Sequence, residues 1–335
     1  QGLAHRLGAV GDELRLANEA DLEEARGTNI APSLLDRMAL TPKRVQGMIE
    51  GCLDVAALAD PLNEIFEGRM LPNGLQIAKK RVPLGVLAAI YESRPNVTVD
   101  IAALAIKTGN AAIMRGGKES LRTNHVLARL VQEASVEAGL PADSVQLIGS
   151  TDRALVMELL AMDELIDLVI PRGGTGLQNM VREHAKMPVM YGGIGVCHLY
   201  VDATADLGRS IPVINNAKTQ APSVCNALDT VLVHRSVLDE FMPLMAADLA
   251  ASHVEMRCDE PSLRALGDWA DREFVKPAGP DDYGREFLSL ALSVKTVESL
   301  DEALAHIEQY GTHHSDGILT NSYENAQRFL AEVDS

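Results

Sequence analysis

Four cysteines, Cys52, Cys197, Cys225 and Cys258, are the strongest potential nucleophiles in the sequence. They are widely scattered, with no CxxC pair and no histidine at zinc-binding spacing. That usage suits a reducing compartment rather than a disulfide scaffold, and no metal site is expected. Cys52 lies inside a helical pattern, where packing is the expected role. Cys197 opens an apolar run beside His198, and in a strand the two face opposite ways, so they form no catalytic pair. Cys225 differs. In "NAKTQAPSVCNALDTVLVH" it follows Pro222 and Ser223 in a polar loop ahead of an apolar run, with Lys218 close in sequence. A loop thiol reached by backbone N–H groups or a cation becomes a nucleophilic thiolate. A buried or incidental thiol is the competing reading, and local residues leave both open.

Three further stretches could carry chemistry. "VIPRGGTGLQ" runs from an apolar strand through Gly173, Gly174 and Gly176 into a helix. Glycines let a ligand approach the backbone, and a helix start offers free N–H groups to phosphate. The spacing is not GxGxxG, so a tight strand-to-helix turn explains it equally well. "IMRGGKES" resembles a kinase phosphate loop but has Ala112 and Glu119 where Gly and Ser or Thr are required. Arg115 and Lys118 remain candidates for a phosphate or ribose contact, against a plain turn with a solvated lysine. In "YESRPNVTVD", Asn96 either caps the following helix or offers its amide to a developing oxyanion. His313 and His314 are adjacent in a loop after Gly311, with no further ligands nearby.

The elements that must position these residues follow an alternating pattern. Residues 3–58 read as helices. A turn at Asn73-Gly74 and alternation around it give a strand or arm near 70–84. A buried strand at 85–91 comes next. Helices over 99–107, 119–140, "DRALVMELLAM" and "TGLQNMVREHAK" then alternate with strands at 111–114, "SVQLIG", "IDLVIP", "MPVMYG" and "VCHLYVD". After Ser210 the alternation resumes with a helix at 211–219, a strand at 230–234 and a helix at 237–252. A polar stretch follows, then "LALSVKTV", "SLDEALAHIEQYG", "GILT" and "SYENAQRFLAEV". This rhythm implies α/β architecture with mostly parallel sheets. The expected domains are 1–211 and 212–335.

Composition bounds the function. The 335 residues are 47% hydrophobic and 23% charged, enough for two domains with substantial cores, and only 4% aromatic, so the cores are aliphatic. A net charge of -17 argues against nucleic acid or an anionic membrane as partner. No apolar run reaches the roughly 18 residues of a membrane span. No secretory signal is seen, but a sequence that starts at Gln1 rather than Met leaves a leader open; a cytoplasmic protein is the default expectation.

Taken together, "RVPLGVLAAIYESRPNVTVD", "KTGNAAIMRGGKE", "IPRGGTGL", "GGIGVCHLYVD", "NAKTQAPSVCN", "EFLSLALSVK" and "GTHHSDGILT" resemble the aldehyde dehydrogenase superfamily. The closer likeness is to its branch that reduces glutamyl phosphate, and it covers essentially the whole chain. The resemblance implies two doubly wound parallel-sheet domains, a Rossmann-like cofactor domain and a catalytic domain, with an oligomerisation arm. It places the nucleophile at Cys225 and the oxyanion-hole amide at Asn96. It implies that Gly173, Gly174 and Gly176 face the dinucleotide phosphates, that Arg115 and Lys118 lie near the adenosine ribose, and that Glu286 holds the nicotinamide ribose. NADP(H) is the implied cofactor, and glutamyl phosphate the substrate. The implied partners are further copies of the chain, with glutamate 5-kinase as a second candidate.

One departure sharpens the implied chemistry. Hydrolytic members carry a water-activating Glu before a Gly-Gly pair, whereas Met190 and Tyr191 precede Gly192-Gly193 here. Without that base a thioester is reduced rather than hydrolysed. A CoA-acylating aldehyde dehydrogenase shares this feature, and an inactive member acting as an assembly partner is the alternative of another class. Members of the branch continue beyond the residue matching Ser335, so the catalytic domain is expected to be incomplete at its C-terminus.

Overall fold

Short runs of Val, Ile, Leu and Ala, buried on both faces, dictate the architecture, because parallel strands need helices on either side. The computed structural model describes residues 1–28, 30 and 32–335. Two compact units divide between Gly192 and Gly193.

In the first unit, strands β1 (Ile65–Met70) and β2 (Gln76–Lys80) form a separate antiparallel hairpin. Its turn is the Asn73-Gly74 signal: Gly74 has φ +84°, and Asn73 Oδ1 accepts the Leu75 N–H at 3.1 Å. The arm therefore starts earlier than the expected 70–84. The strand Ile65–Met70, sequence IFEGRM, alternates too weakly to be read in advance. Strands β3 (Val86–Tyr91), β4 (Ala111–Arg115), β5 (Val145–Leu147) and β6 (Leu168–Arg172) make a parallel sheet in the order β5-β4-β3-β6.

Central β3 feeds two cores by its own alternation. Ala89 and Tyr91 pack with Met114, Leu127 and Val131, while Ala88 and Ile90 pack with Leu160, Val169 and Val181. The N-terminal helices join the first of these cores. The helix Pro42–Ala57 is started by Thr41, which accepts the Arg44 N–H, with proline in the first turn. The expected strand "MPVMYG" reduces to one bridge, Val189 beside Val169, because Pro188 has no N–H to extend a ladder.

The second unit holds β7 (Cys197–Val201), β8 (Leu228–His234), β9 (Glu255–Cys258), β10 (Val275–Pro277), β11 (Ala291–Val297) and β12 (Asp316–Leu319). They form one parallel sheet in the order β10-β9-β11-β8-β7-β12. β7 pairs between β8 and β12, so it is interior to this sheet and the compact units part before it rather than near 211. The polar stretch after 252 conceals β9, the helix Glu260–Ala265 and β10. These strands have three or four residues, and β10 ends at Pro277, so each offers only one or two apolar positions. The helix Leu207–Thr219 begins before the expected Ile211 because Asp206 accepts the Arg209 N–H.

Under this sheet, in the helix Leu300–Tyr310, His306 is 7% exposed. Its ring meets His198 at 5.5 Å and Tyr310 at 4.6 Å between centroids, and its Nε2 has no partner. Burial first, then the neighbouring His198 and Lys295, push its pKa from 6.5 down to about 3. The folded chain therefore binds this proton more weakly than the unfolded chain. The contribution is complete above pH 6.5 and is lost as pH falls toward 3. Urea unfolding followed through Trp269, the single tryptophan, should show about 3 kcal/mol lost to this group between pH 6.5 and 4. His306→Phe should flatten that slope; an unchanged slope contradicts the assignment.

Candidate active site

In the second unit, the chain leaves the helix Leu207–Thr219, turns, and enters β8 with Cys225 at the turn's surface. Of the four cysteines Cys225 alone is exposed. Burial pushes the Cys197 and Cys258 thiols up to about 12 and also raises Cys52, so those three stay protonated and inert. Cys197 has a structural task instead: its Sγ donates to the Cys225 carbonyl at 3.2 Å.

Gly195 lies directly against the Cys225 backbone. A Cβ there would stand 1.4 Å from the Cys225 carbonyl oxygen, so only glycine permits the crossing. The Gly195 N–H donates to Glu286 Oε1 at 3.4 Å. Two residues singled out in the sequence, Cys225 and Glu286, thus meet at Gly195, which was not singled out. Within "GGIGVC" it looks like any glycine of a turn, because the segment it crosses is distant in the chain. Thr312 fastens the same strip by accepting the Val196 N–H at 2.9 Å and donating to the Ile194 carbonyl. Lys218, near Cys225 in sequence, is fully buried and pairs with Asp229 at 3.4 Å.

In the first unit the strand order reverses at β3, whose neighbours are β4 and β6. Ligands of such sheets bind outside the carboxyl ends of the strands at the reversal. A cavity of about 530 Å³ occupies that place, and Arg115, Lys118 and Gly176 line it together. Arg115 Nη2 donates to the Thr151 carbonyl at 3.2 Å, while its buried Nε has no partner. Arg153, overlooked in the sequence, joins the lining. Gly173 and Gly174 fold around Glu92 instead. The Gly174 N–H donates to Glu92 Oε2 at 3.0 Å, and a Cβ at Gly173 would come within 2.4 Å of that oxygen. Gly176 has open space where a Cβ would go.

Asn96 is the first residue of the helix Asn96–Lys107, with Pro95 at the cap position, so the capping reading does not hold. Its amide donates to Asp100 Oδ2 at 2.9 Å. The preceding turn is held by Glu119. One carboxylate oxygen accepts the Ser93 N–H at 2.6 Å and the Ser93 hydroxyl at 2.8 Å, fixing Ser93 at φ +46°. Glu119, the residue that breaks the kinase pattern, thereby ties the Arg115–Lys118 loop to the turn before Asn96. At the position of the hydrolytic acid stand Met190 and Tyr191, and the Arg182 guanidinium lies 5.0 Å over the Tyr191 ring.

The family model for the aldehyde dehydrogenase family matches residues 15–266. The chain belongs to the aldehyde dehydrogenase family. Membership makes it an oxidoreductase acting on an aldehyde group with a nicotinamide cofactor. Within the family it is 50% identical to the gamma-glutamyl phosphate reductase of Dehalococcoides mccartyi over 319 residues, 95% of this chain and 75% of that one. It is 47% identical to the Escherichia coli protein of the same name over 333 residues, 99% of this chain and 79% of the other. Among solved structures, the gamma-glutamyl phosphate reductase of Thermotoga maritima matches with TM-score 0.92 and 42% identity, covering 100% of this chain and 79% of that one. An acetylating aldehyde dehydrogenase from Geobacillus thermoglucosidasius, at 18% identity and TM-score 0.67, shares the fold. Among the described residues no helix is long and apolar enough to cross a membrane.

Two substitutions test this candidate site. Gly195→Ala must displace the Cys225 backbone and should lower kcat about 10²-fold or more; near-normal turnover contradicts the crossing. Glu119→Ala leaves the buried Ser93 N–H unpaired and should cost about 1–3 kcal/mol in urea unfolding, with Glu119→Gln costing less. Equal stability of all three proteins would remove Glu119 from this role.

Proposed function

We propose that the chain reduces L-glutamyl 5-phosphate to L-glutamate 5-semialdehyde and phosphate, with NADPH as reductant, as the second step of proline biosynthesis in the cytoplasm. The observation that carries this reading is the exposed Cys225 thiol, held across Gly195 on a chain about half identical to glutamyl phosphate reductases.

The Cys225 thiolate attacks the acyl carbon, and phosphate departs with the electrons of the carbon–oxygen bond, leaving a thioester. The Asn96 amide and backbone N–H groups are assigned to the oxyanion that forms on the way. With Met190 and Tyr191 at the position of the hydrolytic acid, nothing there draws a proton from water, and the thioester lasts until it is reduced. A bound nicotinamide supplies the hydride for that reduction. Breaking the carbon–sulfur bond then returns the thiolate and frees the aldehyde, which cyclises to pyrroline-5-carboxylate.

The first-unit cavity fits a dinucleotide. It offers the unpartnered buried Arg115 Nε, the Lys118 ammonium and the open backbone at Gly176, a donor set suited to phosphate and ribose. Gly173 and Gly174 shape the turn behind it, and Glu286 is assigned to the nicotinamide ribose. The cofactor and catalytic regions, expected at 1–211 and 212–335, are read as the compact units Gln1–Gly192 and Gly193–Ser335. The β1–β2 hairpin, with Ile65 and Met70 in solvent, suits an arm for self-association. Direct receipt of a labile acyl phosphate suits association with glutamate 5-kinase.

The reverse assay tests the reading. NADP+ reduction with pyrroline-5-carboxylate should require inorganic phosphate, should not accept coenzyme A instead, and should vanish in Cys225→Ser. Turnover that needs coenzyme A, or needs neither acceptor, overturns the glutamyl phosphate reading. Full activity in Cys225→Ser overturns the nucleophile.

A further inference from the structure

A lysine is almost never fully buried without a partner, and an ion pair inside a protein seldom repays its desolvation. Lys218 and Asp229 are 0% and 2% exposed at the side chain, with Nζ 3.4 Å from Oδ1. Burial pushes the lysine pKa down and the aspartate pKa up, so the pair is held at a cost. Its position accounts for that cost. Lys218 lies in the last turn of the helix Leu207–Thr219 and Asp229 lies in β8, so they close the two ends of the segment carrying Cys225. Asp229 Oδ1 also accepts the N–H of Phe287 at 3.0 Å, the residue after Glu286. Lys218 Nζ stands 5.8 Å over the Phe287 ring, and the Asp229 backbone carbonyl accepts the Ser293 hydroxyl at 3.2 Å.

We propose that the buried Lys218–Asp229 pair is the positioning device of this site: the pair clamps both ends of the Cys225 loop, and Asp229, through the Phe287 N–H, sets Glu286 against Gly195. Neither residue touches the reacting atoms. The inference rests on the proposed function only for the roles of Cys225 and Glu286. A merely structural pair and a positioning pair differ in one respect. Apolar replacement of a structural pair restores everything that losing one partner removes. Replacement of a positioning pair restores much of the stability without restoring geometry.

The test compares wild type with Lys218→Met, Lys218→Met/Asp229→Leu and Lys218→Met/Asp229→Asn. Thermal unfolding, kcat and NADPH affinity by fluorescence are measured for each. Lys218→Met strands a buried carboxylate and should lower Tm most. The Leu double variant removes the stranded charge and should regain part of the lost Tm, short of wild type because the buried Phe287 N–H has lost its acceptor, yet it should lose about 10²-fold in kcat and bind NADPH more weakly. The Asn double variant keeps an acceptor for Phe287. It should bind NADPH like wild type while losing about tenfold in kcat, because the loop ends are no longer clamped by charge. Recovery of kcat and NADPH affinity along with Tm in the Leu variant overturns the proposal. If that variant does not fold, an Asn variant equal to wild type in kcat overturns it. Cys225→Ser is assayed in parallel. If it still turns over, the proposed function fails on its own account, and the pair is judged on NADPH affinity alone.

Discussion

The Cys225 backbone crosses Gly195 so closely that one methyl group would take the place of its carbonyl oxygen. Much else in the second unit serves that crossing. The strip containing Gly195 is fastened by Thr312, its N–H reaches Glu286, and the Cys197 thiol donates to the same Cys225 carbonyl. A thiol on a loop would ordinarily wander. Here its backbone is fixed by a contact that tolerates no side chain, while the sulfur remains in solvent where a substrate can reach it. Three other thiols are removed from competition by burial, which keeps them protonated.

The first unit solves its own positioning problem with carboxylates used as staples. Glu92 closes the glycine turn after β6, and Glu119 fixes the turn before Asn96. Both accept backbone N–H groups at the carboxyl ends of strands, where turns leave donors unpaired. An acidic chain, at -17 overall, can thus present a cationic pocket, because nearby acids are spent on backbone while Arg115 keeps a free buried nitrogen. Net charge bears on polyanionic partners, whereas the local donor set bears on a small anionic ligand.

What the sequence made legible follows the range of the interaction. Long periodic segments were read within a few residues, as in the helix Leu121–Glu137 and the strands β3 and β11. Cys225 stood out by residue type and loop position, and Arg115 and Lys118 by their place after a strand. β9 and β10 escaped because three or four residues give too little alternation. The membership of β7 escaped because only its pairing with β8 and β12 decides it. Gly195, Glu119 and Asp229 were not legible for the same reason. Each acts on a segment distant in the chain, so its local context reads as an ordinary turn, loop or strand.

The central claim is that Cys225 carries the acyl group and that nothing at 190–191 hydrolyses it. The most direct measurement is peptide mass mapping of protein incubated with pyrroline-5-carboxylate and NADP+ in the absence of phosphate. The account predicts a glutamyl adduct confined to the peptide containing Cys225, discharged when phosphate is added. An adduct on Cys52, Cys197 or Cys258, or none on a protein that still reduces NADP+, would contradict it.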